Sequence, residues 1–161
     1  MKLIRTLAPL VVLSLVGSLG ASADLPLKKV LTLKAAKAIV AAAEAEASKR
    51  GSTVVIAIVD DGGHLLLLER LDNTQVASIE VAIGKARTAA IFRRPSKDFE
   101  DQIKNGRAAS LVLPGATPLQ GGIPILVDGK VVGAIGVSGN TPQEDEDIAK
   151  VGALATEEAI R

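Results

Sequence analysis

The chain has no cysteine, tryptophan or tyrosine, and only two phenylalanines, one histidine and one methionine in 161 residues. Without cysteine there is no disulfide scaffold, no thiol nucleophile and no thiolate metal site. Proteins that grip single-stranded nucleic acid stack bases on aromatic side chains. Those that grip duplex DNA carry a basic excess. Two aromatics and 19 Lys+Arg against 18 Asp+Glu fit neither, so no nucleic-acid partner is expected. What is present is ordinary globular material: 48% hydrophobic and 23% charged residues, enough apolar side chain to offset ordering entropy. The length suits one domain.

Residues 1–23 read as a secretory leader rather than as fold. Lys2 and Arg5 form a charged start and Leu7 to Leu19 an apolar stretch. Ala21-Ser22-Ala23 is an A-x-A cleavage site that makes Asp24 the new N-terminus. The apolar stretch is shorter than the ~20 residues that span a bilayer. Losing Lys2 and Arg5 from the 19 basic residues leaves 17 against 18 acidic ones. The expected organisation is therefore a leader over 1–23 and a single domain over 24–161, working outside the cytoplasm, in the periplasm or secreted.

Along that domain the hydrophobic period changes in a readable order. Leu33, Ala36, Ile39, Val40 and Ala43 recur at helical spacing within Thr32–Arg50, with Gly51 as a stop. Thr53–Val59 is a β-branched strand. It turns at Asp60-Asp61-Gly62-Gly63 into a returning strand, His64–Leu71. Asp72-Asn73-Thr74 resembles a cap for a helix over Val76–Ile91, which Arg93-Arg94-Pro95 breaks. Ser96–Asn105 predicts a short helix and Leu111–Gly122 a loop. Asp128-Gly129 joins two apolar runs as a tight hairpin. Thr141-Pro142-Gln143-Glu144 starts a last helix as a capping box with Pro at its first position, running towards Ile160. Hairpins give antiparallel pairs and helices must cover them, so the fold class is α+β, an antiparallel sheet flanked by helices.

Chemistry-bearing residues are few. His64 is the only imidazole. Zinc sites need three or four protein ligands, but haem iron is held by one proximal histidine. His64 is therefore the one conventional axial ligand available, and it reads equally well as a hydrogen-bonded turn residue. Lys85, Arg87, Arg93, Arg94 and Lys97 form a basic run that could hold carboxylates, haem propionates included. It also reads as a solvated helix end. Glu144-Asp145-Glu146-Asp147 looks like a cation site, but acidic residues in a first helical turn complement the helix dipole and point in different directions. Gly121-Gly122 could offer backbone N–H groups to an anion. Gly133, Gly136 and Gly139 lack the dinucleotide spacing and suit close backbone approach in a strand.

Three strings, DDGGHLLLLERLDN, VASIEVAIGKARTAAIFRRPS and LQGGIPILVDGKVVGAIGVSGNTPQEDEDIA, resemble the GlcG/HbpS family, whose members include haem-binding and haem-degrading proteins. The C-terminal domain of PduO-type adenosyltransferases is similar. The resemblance runs from about Leu31 to Ile160. It implies a profilin-like or PAS-like sheet, homo-oligomers and, for some secreted members, a membrane sensor partner. The matching positions include Asp60, Gly62, Gly63, His64 and Arg70, then Lys85, Arg87, Thr88, Phe92, Arg94 and Pro95, then Gly121, Gly122 and Pro124. The chain departs from the family pattern at Leu71-Asp72-Asn73 and at Ser96. The resemblance implies a secreted haem-binding, haem-degrading or haem-sensing protein. His64 would lie on the metal, and Lys85, Arg87, Thr88, Arg93 and Arg94 around the cofactor. With so few aromatics, the cofactor pocket would be aliphatic and lie at a subunit interface. Two other readings compete. One is an enzyme or accessory protein for small hydroxy or oxo acids, with the basic residues on the carboxylate and Gly121-Gly122 stabilising an oxyanion. The other is a non-catalytic oligomeric interaction module.

Overall fold

Thr32 accepts the Ala35 N–H on its Oγ1 at 3.2 Å and so caps α1 (Leu33–Arg50). Gly51 ends it at φ +65°, where its N–H meets the Ser48 carbonyl. The computed structural model describes residues 24–159. The expected leader, residues 1–23, lies outside the described residues. Strands β1 (Val55–Asp60) and β2 (Leu65–Arg70) form the first hairpin. Then come α2 (Ser78–Phe92), α3 (Lys97–Lys104) and the second hairpin, β3 (Gly122–Val127) with β4 (Lys130–Ser138). Asp128 and Gly129 both take positive φ, +49° and +71°, as a tight two-residue turn requires. Helices α4 (Pro142–Leu154) and α5 (Thr156–Ala159) complete the described residues, and the capping box at Thr141 and Glu144 is formed. The sheet is antiparallel in the order β2-β1-β4-β3.

Three expectations change. A 3-10 turn, Ala108–Val112, precedes the loop to β3. The last helix divides at Ala155, whose N–H is shared between the Val151 and Gly152 carbonyls, a tightening typical of a helix end. Thr74 does not cap α2. Its hydroxyl donates to the carbonyls of Leu71 at 2.7 Å and Val54 at 3.2 Å, tying the connection to the sheet.

The two faces of the sheet are packed differently. On one, Ile56, Ile58, Ile125, Ile135 and Val137 meet Ile39, Val40, Ala43 and Ile148 from α1 and α4. Each such buried side chain stabilises by roughly 1.5–3 kcal/mol. On the other, α2 presents Ala82, Ala86, Ala89 and Ala90 to Val55, Ala57, Val59 and Ala134. This contact is close because of two glycines. A Cβ on Gly136 would lie 2.1 Å from the Ala82 carbonyl oxygen, and one on Gly122 would lie 2.2 Å from that of Lys85.

Substituting Gly136→Ala should therefore push α2 off the sheet and cost at least about 1–3 kcal/mol, the usual range for overpacking. Urea unfolding checks this, and an unchanged midpoint would contradict the account of the contact.

Candidate functional site

The tip of the β1–β2 hairpin is organised by one carboxylate. Asp60 Oδ1 accepts the backbone N–H groups of Gly62 and His64, each at 2.9 Å. The same oxygen lies 3.3 Å from His64 Nδ1. Gly63, at φ +82°, returns its N–H to the Asp60 carbonyl at 3.0 Å. Burial alone would raise the Asp60 carboxyl, but the N–H groups of His64 and Gly62 and the imidazole outweigh it and hold it below its ordinary value. His64 itself projects outward, its side chain 83% exposed.

Beside this tip runs the C-terminal half of α2. Arg87 donates from Nε to the Gly63 carbonyl at 3.3 Å. Arg87 and Ile91 both press on Gly63, where a Cβ would lie 2.8 Å from Arg87 Cγ and 3.0 Å from Ile91 Cγ2. Leu65 and Ile91 leave apolar surface exposed around the tip. Arg87 and Ile91 thus meet the turn at Gly63, next in sequence to the exposed His64 and Leu65. Two cavities lie elsewhere. One, of about 280 Å³, is lined by Lys29–Thr32, Ala35, Val127 and Val132. The other, of about 420 Å³, lies along β3 and includes Leu126, Lys150 and Leu154. Neither contains His64.

The other candidate residues separate. Lys85 is not on the basic surface that its neighbours in sequence suggested. It is 4% exposed and donates to Asp145 Oδ2 at 2.8 Å and to the Val137 carbonyl at 2.9 Å. It faces inward because it stands where α2 lies nearest the sheet. Burial raises the Asp145 carboxyl above its ordinary value, against the opposing pull of Lys85 and the N–H groups of Asn140 and Gly139. Thr88 is also interior. Its hydroxyl donates to the Gly84 carbonyl and accepts the Thr117 N–H at 2.7 Å, fastening the loop before β3. Arg93 ends α2 in left-handed backbone at φ +56° and is exposed. Arg94 lies over the Phe99 ring at 4.1 Å, and Phe92 packs against Phe99 edge-on, so both aromatics belong to this corner. Gly121 and Gly122 do lie beside Lys85, but no anion nest is open there. Both are buried, and the Gly122 N–H donates to Ser96 Oγ at 2.8 Å. The pieces of the small-acid reading therefore do not converge on an accessible pocket.

The acidic run also disperses. Glu144 completes the cap, Asp145 meets Lys85, Glu146 pairs with Lys150 and Asp147 reaches Arg50. Among the described residues no group of three or more His, Asp or Glu side chains is placed to hold a metal. The helix-dipole explanation missed the one acidic member with an interior partner, Asp145. Sequence likewise marks Asp60 as a turn residue, not as the acceptor that organises the turn. The signal for it is an aspartate two residues before the first N–H it accepts, ahead of a Gly-Gly turn, as in Asx-turns.

Residues 31–154 match the family described as "Haem degrading protein HbpS-like". Protein GlcG of Escherichia coli strain K12 is 46% identical over 111 residues, covering 69% of this chain and 83% of GlcG. A double mutant of Streptomyces reticuli HbpS superposes with a TM-score of 0.75 at 30% identity, covering 93% of this chain and 97% of that one. The solved structure of a PduOC–haem complex superposes at 0.72 with 27% identity, covering 79% and 95%.

Two expectations concern the interior. Lys85→Met leaves Asp145 without its cation and should cost about 3–5 kcal/mol, as breaking a buried pair does. Adding Asp145→Asn should restore part of that in chemical denaturation. Glu100 holds Lys104 and, through Oε2, the Gln120 N–H at 2.6 Å. Burial would raise its carboxyl, but these two partners hold it below its ordinary value. Its stabilisation is thus present above the ordinary carboxylate range and is lost as pH falls through the lower folded value. The thermal midpoint of Glu100→Gln should decline less than the parent's over that acid range.

Proposed function

We propose that this chain, which belongs to the HbpS-like family of haem-degrading proteins, binds haem through His64. One observation carries the reading. The only imidazole of the chain stands exposed on a hydrogen-bonded turn, with Nδ1 facing Asp60 and Nε2 without a partner among the described residues. A single imidazole of this kind is a sufficient protein ligand for haem iron. The surroundings fit. Leu65 and Ile91 supply apolar surface for a porphyrin face, and Arg87, held at Gly63, supplies a guanidinium beside the same turn for a propionate. The PduOC structure with haem bound supports the reading from a protein of the same fold. Bound haem would supply iron redox chemistry; this chain's residues would hold and orient it.

The reading includes a second copy of the chain. In one chain His64 stands on an open surface, whereas a flat cofactor is held by burying both faces. A homo-oligomer that closes over His64, Leu65 and Ile91 would provide that burial. Export belongs to the same proposal, resting on the charged start, apolar stretch and A-x-A site of residues 1–23.

Haem titrated into residues 24–161 should give a saturable Soret shift that His64→Ala loses, with light scattering of the same samples showing a species larger than the monomer. A wild-type protein that leaves the haem spectrum unchanged would defeat the reading. Gradual loss of the Soret band under ascorbate and dioxygen would indicate degradation, and a stable band would indicate a carrier. For export, the intact mass of protein produced from the whole chain in a secreting bacterium should begin at Asp24. A mass that retains Met1–Ala23 would reject the leader.

A further inference from the structure

The turn that carries His64 does more than expose it. Asp60 Oδ1 is fixed by two backbone N–H groups at 2.9 Å, and the third group it faces is His64 Nδ1 at 3.3 Å. A carboxylate oxygen only accepts hydrogen bonds, so the nitrogen facing it must carry the proton. A proton on Nδ1 of a neutral imidazole leaves the lone pair on Nε2, the ring nitrogen that does not face Asp60. Lys28 is engaged by the neighbouring Asp61, not by Asp60. The Asp60 carboxylate therefore keeps its charge for the imidazole and the turn. Gly62 makes the approach possible, since a Cβ there would lie 2.9 Å from His64 Nδ1 and 3.2 Å from Asp60 Oδ1.

We infer that Asp60 is a positioning residue that fixes the Nδ1–H tautomer and the ring orientation of His64, presenting Nε2 as a ready-made ligand. This rests on the haem reading for the identity of what Nε2 meets. The tautomer itself does not depend on it. A partner carboxylate on the far nitrogen of a ligating histidine orients the ring and makes the near nitrogen a stronger donor, and losing such a partner typically weakens metal affinity 10–100-fold. Iron held by a stronger donor favours its oxidised state, so the potential of bound haem also reports on Asp60.

The variant to compare is Asp60→Asn. Its amide oxygen can still accept the Gly62 and His64 N–H groups, so the turn is kept, while the charge opposite Nδ1 is removed. Because the chain has one histidine, a nitrogen-15 NMR spectrum of the haem-free protein above the titration range of imidazole shows a single pair of ring nitrogens. In wild type, Nδ1 should appear protonated and Nε2 unprotonated. In Asp60→Asn, the ring should move towards the Nε2–H tautomer that free histidine prefers. With haem added, the variant should bind about tenfold more weakly and its midpoint potential should be more positive. A wild-type ring already in the Nε2–H form overturns the inference whether or not haem binds. Equal tautomer, affinity and potential in the two proteins also overturn it, while leaving the haem reading intact if His64→Ala abolishes binding. No haem binding by wild type defeats the haem reading and removes the ligand role of Nε2, even if the tautomer is as inferred.

Discussion

The close seat of α2 on the sheet is the constraint from which the rest follows. Gly122 and Gly136 remove the side chains that would otherwise hold the helix away. Alanines at 82, 86, 89 and 90 keep the helix side equally thin. At that distance a lysine in the contact cannot reach solvent, so Lys85 turns inward and ends on Asp145 and the Val137 carbonyl. Two residues later, about 200° around the helix, Arg87 emerges beside Gly63 and braces the hairpin tip. One helix position therefore ties α2 to α4, and the next reachable cation serves the turn that carries the only histidine.

Most of the fold was legible because its signals are local. Helical spacing, the β-branched run of β1, the Asp128-Gly129 turn and the Thr141–Glu144 capping box each act within a few residues and gave the right elements in the right order. The misplaced features depend on distant partners. Thr74 looks like a cap in sequence but bonds Val54, twenty residues away. The break at Ala155 comes from a shared hydrogen bond, which hydrophobic spacing does not record.

The candidate site was legible in part, for the same reason. His64 stood out because it is the only imidazole, and its neighbours in the turn lie close in sequence. The basic run from Lys85 to Lys97 misled because helical rotation and sheet contact send its members to different places. Lys85 goes into the interior, Arg87 to the hairpin, Arg94 onto Phe99 and Lys97 to Asp101. Thr88 and Gly122, which look like ligand contacts on a motif, hold the loop and strand next to α2. Spacing along a chain ranks candidates for a site; only the packing decides which of them face the same way.

What remains is a surface rather than a pocket: an imidazole with one nitrogen committed to Asp60 and the other open, beside apolar residues that a single chain leaves uncovered. The central claim is that this open nitrogen is the one on haem iron. Electron paramagnetic resonance of the ferrous nitrosyl haem complex, prepared with nitrogen-15 histidine, tests it most directly, since the chain contributes one labelled side chain. With His64 opposite the nitrosyl, labelling should change the hyperfine splitting from the trans ligand from three lines to two. A six-coordinate spectrum whose trans splitting is unaltered by the label would show that the iron is held by something other than His64 and would contradict the account.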